Sequence, residues 1–287
     1  MKLEGRREST NVDDRRGPSK GAVAGGVGLG GVIIIGLITL LLGGDPSEVI
    51  SQVQNMNTTT STQTDYTGSA EEEALATFAK QILASTEDVW SAIFKQMGRT
   101  YVPPKLVLFT DYVQSGCGNA SAESGPFYCS GDQCVYLDLS FFSSMKKSLG
   151  ADGDFAYAYV IAHEVGHHVQ YLLGTLQQAH NQMSRSNKTT ANQISVRLEL
   201  QADFYAGIWA YYENRMFKSL EDGDIQEGMN VASKIGDDYL QKRGQGYSVP
   251  DSFTHGTSAQ RMRWLKKGLE TGNLNNGDTF SPSYSSL

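Results

Sequence analysis

The sequence has little histidine, five residues in 287. So few make a chance H-E-x-x-H rare, yet His163-Glu164-Val165-Gly166-His167 spells one. A basic domain or stripe is also missing. With 24 Lys and Arg against 31 Asp and Glu the formal net charge is −7, which sets a nucleic-acid partner aside. Residues 1–20 show no hydrophobic periodicity: Lys2, Arg6, Arg7, Arg15, Arg16 and Lys20 alternate with Glu4, Glu8, Asp13 and Asp14, and a disordered tail is expected. Residues 45–68 are poor in apolar side chains and rich in Ser, Thr, Asn and Gln, a composition that buries little surface and reads as a linker.

Charge is absent altogether from residues 21–44, whose second half, Val32 to Leu42, is strongly apolar. Those 24 residues exceed the roughly 20 a bilayer-spanning helix needs. No A-x-A cleavage site follows, so an uncleaved signal anchor is expected in preference to a removed signal peptide. Six Lys and Arg precede the span, and the positive-inside rule then puts the amino terminus in the cytoplasm and everything after Gly44 outside. The expectation is a single-pass protein of the cell (inner) membrane that meets the lipid bilayer through residues 21–44 and carries an extracytoplasmic domain over 69–270. Residues 271–287 are polar and read as a flexible tail.

Around the histidine motif, Asp154 to Leu173 contains no proline, and Phe155, Tyr159, Ala162, Val169 and Leu172 recur at helical spacing, which predicts a helix. Residues four apart share a face of that helix, so His163 and His167 can reach one metal ion. Glu164 stands beside that ion and can take a proton from metal-bound water. Two ligands are one short of a catalytic zinc set. The metzincin continuation needs Gly and His three and six residues past His167, and Gln170 and Leu173 stand there. A second helix, predicted from Asn192 to about Arg215, carries Glu199 and Asp203 four apart, with Ala202, Ala206 and Ala210 keeping one side slim as Gly166 does on the first helix. Such slim faces let Glu199 reach the metal as third ligand while Asp203 accepts the second ring N–H of a ligand histidine. A cysteine upstream of the motif is the rival third ligand, and Cys117, Cys129 and Cys134 all fall in one short region.

The H-E-x-x-H then E-x-x-x-D pattern resembles the glutamate zincins. Together with Cys117-Gly118, Gly125-Pro126-Phe127-Tyr128-Cys129, Val135 to Phe142, Arg197 to Asp203 and His255 to Arg261, it resembles the bacterial membrane-anchored "putative neutral zinc metallopeptidase" family over Glu71 to Leu269. The resemblance implies a predominantly helical α+β fold of zincin type with a small sheet above the metal helix, Zn2+ as cofactor and a peptide or protein as substrate. It also points to Cys117 with Cys129 as the disulfide pair, permitted if the domain is extracytoplasmic.

Remaining elements are read more coarsely. Ser69 with Glu72 has capping-box spacing, followed by two helices or one bent helix up to Met97. Lys105–Thr110 and Cys134–Leu139 read as strands, the latter as a candidate edge that pairs an extended substrate. Asp224 to about Arg243 reads as one packing helix. His255, on a glycine-containing loop ahead of a helix at 258–269, is a candidate donor to the oxyanion. The expected function is Glu164-assisted attack of zinc-bound water on a peptide bond. The alternatives are a non-proteolytic zinc amide hydrolase and a catalytically silent zinc-binding interaction domain.

Overall fold

The Ser69 hydroxyl accepts the Glu72 amide at 3.1 Å and three glutamates occupy the first turn, so the helix that follows starts where the sequence suggests. In this computed structural model, which describes residues 1–17 and 68–287, that helix, α1, runs unbroken from Ala70 to Gln96. Of the two readings, two helices or one bent helix, neither break nor second start is seen, and the polar side chains at Ser85–Glu87 within it are engaged by tertiary partners or the preceding turn. Ser85 Oγ meets Glu213, Thr86 Oγ1 returns to the Leu83 carbonyl, and Glu87 accepts from Ser9 and Asn11 at 2.5 and 2.8 Å.

A four-stranded sheet lies beside the helices in the order β1 (Val12–Arg15), β2 (Lys105–Phe109), β6 (Cys134–Asp138), β5 (Phe127–Cys129). Its first three strands are parallel and β5 is antiparallel to β6. A separate hairpin joins β3 (Tyr112–Ser115) and β4 (Gly118–Ser121). The remaining helices are α2 (Ser140–Leu149), α3 (Asp154–Leu173), α4 (Thr175–Met183), α5 (Lys188–Phe217), α6 (Asp224–Lys234), α7 (Asp237–Gln245) and α8 (Ser258–Thr271). The result is α+β and predominantly helical. α5 is the central helix, buried from Glu199 through Ala210. α8 lies hard against it where two glycines meet: a Cβ on Gly268 would stand 2.1 Å from the Phe204 carbonyl oxygen, and one on Gly207 2.2 Å from that of Leu265.

Four expectations need correcting. The amino-terminal tail is not disordered over residues 1–17: Val12–Arg15 form the outer strand of the sheet and Leu3 is buried in the main core. The tail at 271–287 is not loose either, because Arg197 reaches the Thr279 and Phe280 carbonyls, Thr279 Oγ1 donates to the Arg197 carbonyl at 2.7 Å and Leu287 is buried. The Cys134–Leu139 strand is interior, flanked by β2 and β5. The single helix expected over 224–243 breaks at Gly236, where a Cβ would stand 2.2 Å from the Ser258 amide nitrogen. The expected span at 21–44 lies outside the described residues, as does the linker up to residue 67. Among the described residues no helix is long and apolar enough to cross a membrane.

His168, next to the motif, is a structural residue with a settled tautomer. Its Nε2–H donates to the Val102 carbonyl at 2.7 Å and its Nδ1 accepts from the Tyr128 hydroxyl at 2.9 Å, so both ring nitrogens are satisfied only when the ring is neutral. Burial lowers its pKa to about 4. A depressed histidine contributes stability that is present above its unfolded value near 6.5 and lost as pH falls through 4, here about 3 kcal/mol. Urea unfolding of chelator-treated protein between pH 7 and 4 should show this loss, and His168→Gln should flatten the slope. An unchanged slope in the variant would assign the loss to other groups.

Candidate metal centre

Two helices build the centre. A Cβ on Gly166 of α3 would stand 3.0 Å from the Ala202 carbonyl oxygen of α5, so glycine is what lets these backbones approach so closely. That approach brings a short glutamate on one helix to two histidines on the other. His163 Nε2 lies 3.1 Å from Glu199 Oε2 and His167 Nε2 lies 3.5 Å from Glu199 Oε1. One ligand atom from each residue falls within 4.8 Å of the others. Ligands about 2 Å from one tetrahedral ion stand roughly 3.3 Å apart, so the donor set fits a zinc-sized cation. The donor chemistry fits as well: two imidazoles and one carboxylate are three of the four positions of a catalytic zinc site.

The orientation of both rings is imposed from behind. His163 Nδ1–H donates to Asp203 Oδ1 at 2.8 Å and His167 Nδ1–H to Gln170 Oε1 at 2.9 Å, which leaves each Nε2 aimed at Glu199. Asp203 is fully buried. It also accepts from the Tyr159 hydroxyl at 2.5 Å and from Arg261 Nε and Nη2, both at 2.9 Å. Burial alone would raise its pKa, but Arg261 and His163 hold it down at about 2, so it stays an acceptor for all of these donors. Glu199 behaves alike: burial opposes its ionisation, yet the two histidines keep its pKa well below the usual carboxylate range.

Tyr159, Gln170, Asp237 and Arg261 carry no role in the sequence reading. Arg261 was in sight, since it closes the motif beginning at His255, and one heptad separates Arg261 from Gly268, the residue that seats α8 on α5. Gln170 holds the position where the metzincin pattern wants glycine, and its Nε2 donates to the Leu198 carbonyl at 2.7 Å, tying α3 to α5. Asp237 had no signal, because its partners lie in a loop about 18 residues away.

Glu164 and His255 both line the cleft over the three ligand residues. Glu164 is buried and its pKa is raised, chiefly by loss of solvation. Among the described residues its Oε2 has no hydrogen-bond partner. Such an acceptor, on a residue that lines a cleft beside a candidate cation site, is where a proton can be received. His255 is held by Asp237, whose Oδ2 accepts the backbone N–H of Thr254, His255 and Gly256 at 2.7–3.0 Å. Its ring Nδ1 lies 3.2 Å from Asp237 Oδ1, which leaves Nε2 free, a donor when the ring is protonated. Burial lowers the pKa of His255, but Asp237 more than reverses this and the net shift is upward.

The cleft is otherwise lined by Ser124–Pro126, Phe141, Met145, Val160 and Ile235. Ser124–Pro126 lead directly into β5, the sheet edge on this side. Cys117 and Cys129 form a disulfide that ties β5 to the turn between β3 and β4, and Cys134 is free and buried with its thiol pushed up to about 11 by burial. None of the three cysteines joins the metal-binding group, so the upstream-cysteine alternative finds no support.

Comparison with known proteins adds a family. The model of a family described as "putative neutral zinc metallopeptidase" matches residues 1–280. The chain is similar to the uncharacterized protein YpfJ of Escherichia coli K12, 45% identical over 99% of this chain and all of the relative. It is also similar to the uncharacterized protein Rv2575 of Mycobacterium tuberculosis H37Rv, 40% identical over 71% of each chain. No solved structure matches.

Proposed function

This chain belongs to the "putative neutral zinc metallopeptidase" family, and from that premise we propose that it hydrolyses peptide bonds with zinc held by His163, His167 and Glu199. The observation that carries the reading is the pairing of an incomplete ligand set with an unpartnered, buried Glu164 Oε2 in one cleft. A purely structural zinc site is usually closed by four protein ligands. Bound zinc would supply Lewis-acid polarisation of water and of the scissile carbonyl.

The chain's own residues do the rest. Glu164 Oε2 takes the proton from the attacking water and returns it to the leaving amine, a transfer favoured by the raised pKa that burial imposes. The protonated His255 ring, held on target by Asp237, donates its Nε2–H to the oxyanion. Ser124–Pro126 and the outer edge of β5 offer main-chain groups to an extended peptide, in place of the interior strand β6.

Glu164→Gln keeps the size of the side chain and removes the base. We expect it to bind zinc in full and to lose about 10²–10⁴-fold in turnover on a peptide library. Equal cleavage by wild type and variant would remove the peptidase assignment, while zinc bound by a wild type that cleaves nothing would favour the silent binding domain.

A further inference from the structure

Residues 1–17 are built into the domain. β1 pairs with β2 from Val12 opposite Leu106 to Arg15 opposite Phe109, and the approach to it is fixed by main-chain bonds from Ser9 N–H to the Lys80 carbonyl and from Leu106 N–H to the Asn11 carbonyl, at 3.0 and 2.8 Å. The arginines of this stretch are the ones that, in the sequence, read as a positive-inside signal. In the fold Arg15 pairs with Asp13 and Arg16 with Asp14 of the same stretch, while Arg6, Arg7 and Arg16 meet acids of the domain. Arg6 meets Glu213 at 2.8 Å, Arg7 meets Glu87 and Asp88 at 2.9 and 2.7 Å, and Arg16 meets Glu73 at 3.0 Å. Glu213 is fully buried, and a buried acid stripped of its cation is strongly destabilising. β1 also covers the edge of β2, a strand buried at four of its five positions, which would otherwise offer unpaired main-chain groups.

We propose that residues 1–17 share a compartment with the domain of residues 68–287, as its permanent edge strand. A single bilayer crossing between them would hold the strand and its acceptor on opposite sides. Any lipid contact made by residues 21–44 therefore starts and ends on one side, and the positive-inside reading of the amino terminus does not apply. The inference is independent of whether the cleft cleaves peptides.

Single cysteines decide it in the full-length protein, expressed in cells in a Cys134→Ala background. Thr10 and Lys242 are exposed in the folded chain, so Thr10→Cys and Lys242→Cys report on the two parts without disturbing the core. Intact and permeabilised cells are treated with a membrane-impermeant maleimide. The expected result is one pattern for both positions, either both labelled in intact cells or both shielded until permeabilisation. Labelling of one in intact cells with the other shielded would overturn the proposal and restore the single crossing.

Discussion

Asp203→Asn is expected to lower zinc affinity about 10–100-fold and to destabilise the metal-free protein by about 3–5 kcal/mol. The two effects have separate causes. An amide in place of the carboxylate no longer compels His163 to present Nε2 to Glu199, since a ring N–H behind it is no longer drawn by a charge at 2.8 Å. It also leaves the Arg261 guanidinium, whose side chain is 3% exposed, buried without its bidentate partner. Chelator competition reads the first effect and urea unfolding in chelator reads the second. Unchanged zinc affinity would show that Asp203 braces α8 against α5 without orienting the ligand.

Arg6→Met should cost a similar 3–5 kcal/mol although the residue is far from the cleft, because Glu213 has no exposure of its own and would keep only neutral hydroxyl support from Ser85. Among the described residues Arg6 is the cation within ion-pair reach of Glu213. Pairing Arg6→Met with Glu213→Gln removes both charges, so most of the lost stability should return. A double variant as unstable as the single one would mean that Arg6 acts through its stacking over the Phe217 ring, 3.7 Å below its guanidinium carbon, and not through charge. Unfolding of the single and double variants against wild type completes the cycle.

Much of the centre was legible in one dimension. The i, i+4 spacing of His163 with His167 and of Glu199 with Asp203 puts each pair on one helical face whatever the rest of the chain does, and Gly166 with Ala202 announces where the two faces can touch. Helix α3 has the limits its apolar period predicts, Asp154 to Leu173. Less local features were misread for a physical reason. Residues 1–17 have the composition of a solvated tail because Arg6, Arg7 and Arg16 find acids on α1 and α5 more than 50 positions away, and no window along the chain contains both halves of those pairs. Polar residues at 271–287 likewise looked loose until the Arg197 guanidinium supplied a partner for their carbonyls.

Sequence alone, then, determined which side chains gather at the site: that His163, His167 and Glu199 could hold one divalent cation, and that the two helices carrying them must cross closely. Those statements depend on helical periodicity and side-chain size, which neighbours in the chain set. Only the tertiary structure decided that Arg261 and Tyr159 back Asp203, that Asp237 aims His255, that β5 and not β6 is the edge beside the cleft, and that the amino-terminal strand completes the sheet. Each of these is a contact between groups brought together by packing of the core, and their worth comes from burial, a property no residue has until the chain has folded around it.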